Sequence, residues 1–147
     1  MKKRIFLYCI LALLISNVGF SQVVNIPDKA KNDFSKKHKD AKNVKWDNNV
    51  SSYLCHYEEN GVAATAHYNM DGTWDFTEKK INPDAVPAVV NDSFSKSKFS
   101  DYDVKEKAFV ENTKGQSFYR FEVKKGIDKK YLFFDKGGKL VKTAATI

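Results

Sequence analysis

Residues 53–68 decide the fold of this chain, and they read YLCHYEENGVAATAHY. On both sides of Asn60-Gly61 one set of alternate positions is aromatic or small and apolar, as in strands that bury one face. An Asn-Gly pair is the strongest short signal for a two-residue hairpin turn, because both residues accept a positive φ. The stretch therefore predicts an antiparallel hairpin in which Cys55 pairs with Ala66.

A helix is predicted before this hairpin, and a similar helix is predicted 60 residues later. In both stretches apolar residues recur every four positions, which gives one apolar face of an amphipathic helix. Proline stands at the beginning of each stretch, where its missing N–H would have no partner in a helix. The apolar positions are Ile26, Ala30 and Phe34 in the first helix, and Val86, Val89, Val90 and Phe94 in the second.

Alternating residues return after the second helix, with turns at Lys125-Gly126 and Gly137-Gly138. We therefore predict an α+β protein of two tandem units, 22–81 and 82–147, in one compact body. Each unit has one helix packed on an antiparallel sheet of about four strands, because such a sheet must cover its apolar face. Two such units can bury more surface side by side or extend one sheet, and the sequence leaves this open.

Residues 1–21 are typical of a secretory signal peptide. Lys2, Lys3 and Arg4 precede an uncharged apolar run over 5–15, which is too short to span a bilayer. We therefore expect an exported protein, periplasmic or extracellular, with no membrane contact after cleavage.

The charge of the chain argues against nucleic-acid binding. The leader holds three of the 25 basic residues and none of the 18 acidic ones, so the formal charge falls from +7 to +4 after cleavage. Arg120 is then the only arginine left, whereas proteins that bind nucleic acid usually carry more arginine and more charge. We expect no nucleic-acid partner.

The sequence contains no motif for a nucleophile, a phosphate loop or a dinucleotide site, so we expect no enzyme, no catalytic residue and no cofactor. Cys55 and His56 are adjacent on a strand and point to opposite faces, which prevents them from acting as a pair. His56 and His67 share a face as diagonal neighbours. We expect no metal there, and keep a metal or small-ligand site at these two histidines as the alternative.

The face of the second sheet that its helix leaves uncovered is predicted to carry aromatic residues. If Leu132 and Phe134 point to the helix, Tyr131 and Phe133 must point away from it. Aromatic side chains near an arginine are typical of protein-binding surfaces. The alternative is that this face packs against the first unit or a loop. The predicted partner-binding residues are Phe118, Arg120, Tyr131 and Phe133.

Several segments together resemble the PepSY-like family of secreted proteins, which has a β-lactamase-inhibitor-protein-like fold. The resemblance covers nearly all of the chain after the leader, and it implies tandem α/β units, export and no established enzymatic activity. The missing catalytic motifs and the uncovered rings favour an exported, non-enzymatic binding module, and the resemblance suggests that it inhibits or senses a periplasmic or extracellular protein. The segments are 41–46 (AKNVKW), 53–57 (YLCHY), 68–74 (YNMDGTW), Val86-Pro87, Phe94 and 134–140 (FDKGGKL).

Overall fold

The structure is a computed structural model that describes residues 25–145, so the predicted leader lies outside the described residues. The helices are α1 (Asp28–Lys37) and α2 (Ala88–Ser95), and a 3₁₀ turn (Pro83–Ala85) precedes α2. The strands are β1 (Lys42–Asn49), β2 (Ser52–Glu59), β3 (Val62–Asn69), β4 (Trp74–Lys80), β5 (Asp103–Asn112), β6 (Ser117–Lys125), β7 (Asp128–Phe134) and β8 (Leu140–Ala145).

All eight strands form one antiparallel sheet, in the order in which they occur along the chain. Each helix is followed by four strands, as predicted, but the strands do not form two separate four-stranded sheets. β4 pairs with β5 from Phe76–Asn112 to Lys80–Ala108, which joins the two halves. An unpaired edge exposes a row of backbone N–H and C=O groups, and this pairing satisfies them for both strands. The α+β class is confirmed.

The hairpin at Asn60-Gly61 has the predicted register, with Cys55 opposite Ala66 and Glu59 opposite Val62. Both turn residues have a positive φ, 53° and 75°. Local turn geometry therefore determines which side chains of β2 and β3 face the helix.

The helices lie on one face of the sheet and bury the expected apolar residues. Ala30 and Phe34 of α1 are buried, as is Val90 of α2. The prediction that Val89 extends this buried stripe is wrong, because Val89 is 45% exposed. Most of the buried apolar residues form one cluster under each helix. The first contains Ile26, Ala30, Phe34, Tyr53, Cys55, Tyr57, Ala64, Ala66 and Tyr68, and the second contains Val86, Val90, Phe99, Phe121, Val123, Leu132 and Phe134.

A turn of the sheet packs against each helix at a glycine. Gly72 has φ +77°, and a Cβ there would lie 3.1 Å from the Pro27 side chain. Gly138 has φ +86°, and a Cβ there would lie 2.6 Å from Ser93 Oγ in α2. Both positions require glycine because the backbone is left-handed and the helix leaves little or no room for a side chain.

Candidate partner-binding site on the open sheet face

A depression of about 630 Å³ lies on the face of the sheet that the helices do not cover. Its volume is within the range of protein ligand pockets. All four residues predicted to bind a partner line it, namely Phe118, Arg120, Tyr131 and Phe133. Their three rings are half-buried, so they are neither sealed inside the protein nor fully in solvent. Phe76 of β4 contributes a fourth ring.

Arg120 is the central charged residue of this face. It is only 5% exposed, although it does not belong to either apolar cluster. Its Nη2 donates a hydrogen bond of 2.9 Å to Glu106 Oε1, and its Cζ lies 4.4 Å from the centroid of the Tyr131 ring. Its Nε lies 3.2 Å from Glu78 Oε1 but forms no hydrogen bond within the described residues. One guanidinium thus contacts side chains from β4, β5 and β7.

The carboxylates around Arg120 are partly removed from water. Burial raises the pKa of Glu78, and the nearby carboxylates of Glu106 and Glu122 raise this pKa further. The guanidinium of Arg120 lowers the pKa of Glu78, but by less than burial raises it. The positive charge of Arg120 is therefore already compensated by the protein. A ligand that enters the depression therefore meets aromatic rings beside an arginine whose charge is already neutralised.

His67 is at the edge of the depression and is held against Phe76. The two rings pair across β3 and β4 and stack with centroids 4.0 Å apart and planes at 18°. Burial, with smaller contributions from His56 and Arg120, lowers the pKa of His67 to about 4. The ring is therefore neutral at physiological pH and adds to the flat apolar lining.

His56, the other histidine of the alternative metal site, uses both ring nitrogens within the protein. Nδ1 lies 2.9 Å from Thr65 Oγ1, and Nε2 lies 3.4 Å from Asp47 Oδ2. Within residues 25–145 no group of three or more His, Cys, Asp or Glu side chains could hold a metal ion. His56 thus contacts side chains of both neighbouring strands, and His67 stacks on a ring of β4.

Cys55 is fully buried under α1, on the face opposite to His56. Burial raises the pKa of its thiol to about 12. A thiol with this pKa is almost entirely protonated at neutral pH, so it is a poor nucleophile. The expectation that Cys55 and His56 do not act together agrees with this placement.

Three strands, β4, β5 and β8, contribute residues to the depression that the sequence did not indicate. Phe76 and Glu78 come from β4, and Val110 comes from β5. Side chains alternate along β4, so Phe76 and Glu78 lie on the same face of the sheet. Only the pairing of β4 with β5 brings these two residues near Arg120. The outer wall comes from β8, through Val141, Lys142 and Ala144.

Among the described residues, no helix has the length and apolar character needed to cross a membrane.

Several solved structures share this fold. A DUF2874 family protein from Bacteroides ovatus matches with a TM-score of 0.70 and 23% identity, over 82% of this chain and 88% of that chain. A "putative periplasmic" protein from Bacteroides eggerthii matches with a TM-score of 0.69 and 22% identity, over 82% and 89%. A BLIP-like protein from Bacteroides fragilis matches with a TM-score of 0.70 and 19% identity, over 84% and 89%. Identities this low show the fold alone.

Comparison with curated proteins gives no significant match. A family model described as "Putative beta-lactamase-inhibitor-like, PepSY-like" matches residues 51–142, which is more than half of the chain and includes the hairpin of β2 and β3 and most of the depression. The predicted resemblance is therefore confirmed over these residues, and this chain belongs to the PepSY-like, beta-lactamase-inhibitor-like family.

Proposed function

We propose that this protein is an exported, non-enzymatic binding module that recognises another protein through the depression on its open sheet face. The observation that carries the proposal is the group of four rings that line the depression together with Arg120, and they are half-buried on a face that no helix covers. Clustered aromatic side chains with a central arginine are typical of the residues that dominate binding energy in protein interfaces.

The lining of the depression supports a protein partner over a charged small molecule. Arg120 and Lys142 supply two positive charges, and Asp75 and Glu78 supply two negative ones, so the lining has no formal net charge. Such a surface does not select strongly for an anion or a cation, and its aromatic area favours an apolar side chain of a partner.

The depression takes residues from both predicted units. Phe76 and Glu78 belong to 22–81, and the remaining ring residues belong to 82–147. The proposed binding site therefore requires both units, and neither unit alone would hold it.

Binding is tested by comparing the wild-type chain with Phe133→Ala and with Ile127→Ala. Ile127 is a fully exposed apolar residue in the turn between β6 and β7, which makes it a matched control for a lost apolar side chain. Each chain is used to capture proteins from the periplasm of the source cells, and the affinity of any captured partner is then measured with purified components. Phe133→Ala should weaken binding about tenfold or more, and Ile127→Ala should leave it unchanged.

The same variants test whether the partner is an enzyme that this protein inhibits. The relative from Bacteroides fragilis is described as BLIP-like, so hydrolysis by a purified β-lactamase is measured with increasing amounts of the chain. Inhibition that Phe133→Ala weakens and Ile127→Ala preserves would identify the partner class. Equal capture of every partner by all three chains would reject the depression as the binding site.

A further inference from the structure

The two outer strands of the sheet differ in how they are protected against pairing with another strand. In β1 the register with β2 shifts between Lys42 and Lys45, and Asn43 has a φ of +54°. Lys45 and Asp47 also place charges along this strand, 3.2 Å apart. Bulges and charged side chains are the usual means by which an edge strand avoids a new partner.

β8 has few of these protections among its described residues. Its register shift lies at the beginning of the strand, near Val141, and the pairing with β7 is regular from Lys142 to Ala145. Lys142 is the only charged residue of β8, and the three residues after it are small. Within residues 25–145 no strand pairs with the outer edge of β8.

The depression extends as far as this edge, because β8 supplies its outer wall. A strand added beside β8 would therefore continue the open face rather than cover it. On the open face its side chains would stand next to Lys142 and Ala144 of β8, and the ammonium group of Lys142 lies 5.3 Å from the ring centroid of Phe133 in β7.

We propose that the occupant of this edge is a second copy of the chain, paired antiparallel through β8 across a two-fold axis perpendicular to the sheet. A two-fold axis of this kind keeps each side chain on its own side of the sheet, so directly opposed residues of the two copies must point to the same side. This condition is met when the axis passes midway between the two copies of one residue. Centred on Thr143, the pairing places Lys142 opposite Ala144 of the other copy. The lysines do not oppose each other, and the small side chains allow close approach.

This arrangement joins the open faces of two copies into one surface, with the two depressions as neighbours on either side of the new strand pair. In this register the only charge of each β8 faces an alanine, so a second copy meets the edge without like charges opposite each other. The inference does not depend on the proposed function, because a dimer can form whether or not the depression binds a partner.

The test is sedimentation velocity of the purified chain from about 10 μM to about 1 mM, the range in which so short a strand pair would associate. The weight-average mass should rise with concentration towards twice that of the monomer. Thr143→Lys places two like charges at the axis and should raise the dissociation constant about tenfold or more. Thr143→Glu should act in the same way.

Mixing the two variants gives the decisive result. Thr143→Lys and Thr143→Glu together should form heterodimers, because opposite charges then meet at the axis. Val44→Lys is the control, since Val44 is 44% exposed on the opposite outer strand, and it should leave association unchanged. A wild-type chain that stays monomeric at every concentration would overturn the proposal, and so would a Thr143→Lys variant that associates as the wild type does. Loss of association by Val44→Lys, or a mixture that stays monomeric, would overturn it as well.

Discussion

The guanidinium of Arg120 lies on the ring of Tyr131, with Cζ 4.4 Å from the ring centroid, although the two residues belong to neighbouring strands and are not directly paired. The same guanidinium is bonded to Glu106 and contacts Glu78. These charged contacts thus cross the boundary between β4 and β5, and they fix the position of the Arg120 side chain in the depression.

Replacing Arg120 by methionine should destabilise the fold by about 2 kcal/mol, because it leaves the half-buried carboxylate of Glu78 without its cation. Urea unfolding followed by circular dichroism measures this loss. Glu106→Gln is the control, since the Glu106 side chain is 44% exposed, and it should cost less than about 1 kcal/mol. Adding Glu78→Gln to Arg120→Met should recover part of the lost stability, because the unpaired carboxylate is then removed. If Arg120→Met were as stable as the wild type, the contacts of Arg120 would not stabilise the fold.

The stability of the protein should depend on pH through His67. The folded-state pKa of about 4 is below the ordinary histidine pKa of 6.5, so the unfolded chain binds a proton between these values and the folded chain does not. The contribution of the neutral His67 ring to the free energy of unfolding is therefore fully present above pH 6.5. It should fall by about 2–3 kcal/mol as the pH drops to 4. Glu78 acts in the opposite direction, because its raised pKa removes stability as the pH rises.

Comparison with His67→Gln isolates the contribution of His67, since Glu78 is present in both proteins. The free energy of unfolding of the variant should change less between pH 6.5 and 4 than that of the wild type. A direct NMR titration in which the His67 ring gains its proton near pH 6.5 would show that the stacked ring is not shielded as described.

The thiol of Cys55 should not react with iodoacetamide or with an aromatic disulfide reagent in the native protein at neutral pH. Full burial and a pKa of about 12 leave almost no accessible thiolate. Reaction should become complete in denaturant. A Val50→Cys variant, with the new thiol at a position 99% exposed, should react at once in native buffer. Rapid native labelling of Cys55 would mean that the cluster under α1 opens readily.

Gly138→Ala should be much more destabilising than Gly126→Ala. Both residues have a positive φ, which costs alanine about 1 kcal/mol. At Gly126 nothing lies within 4 Å of the added methyl group, whereas at Gly138 it would lie 2.6 Å from Ser93 Oγ and 2.7 Å from the Val89 carbonyl oxygen. We expect a further loss of about 2 kcal/mol at Gly138 from this overlap. Thermal unfolding measures the difference, and equal melting temperatures for the two variants would contradict it.

Much of the fold follows from local features of the sequence. The turn at Asn60-Gly61 determines the register of β2 and β3, and residue alternation places Phe118, Tyr131 and Phe133 on one face. These predictions depend only on turn geometry and on the two-residue period of strands.

The partners of Arg120 could not be predicted in the same way. Glu78 and Glu106 reach it because β4 pairs with β5, and those strands are separated by α2 and its flanking turns. Pairing between strands so far apart in sequence depends on how both halves are packed, and no turn residue specifies its register. The sequence therefore indicates the rings of the candidate site but not the carboxylates that neutralise its arginine.

The pairing of β4 with β5 has a consequence for recognition. Backbone hydrogen bonds run from the first strand to the last without a flexible connection, so the parts of the depression that come from the two halves cannot swing apart as domains on a linker do. A binding partner must therefore match a shape that already exists. Little ordering of this protein would accompany binding, and variants that alter the fit should change the lifetime of a complex more than the rate at which it forms.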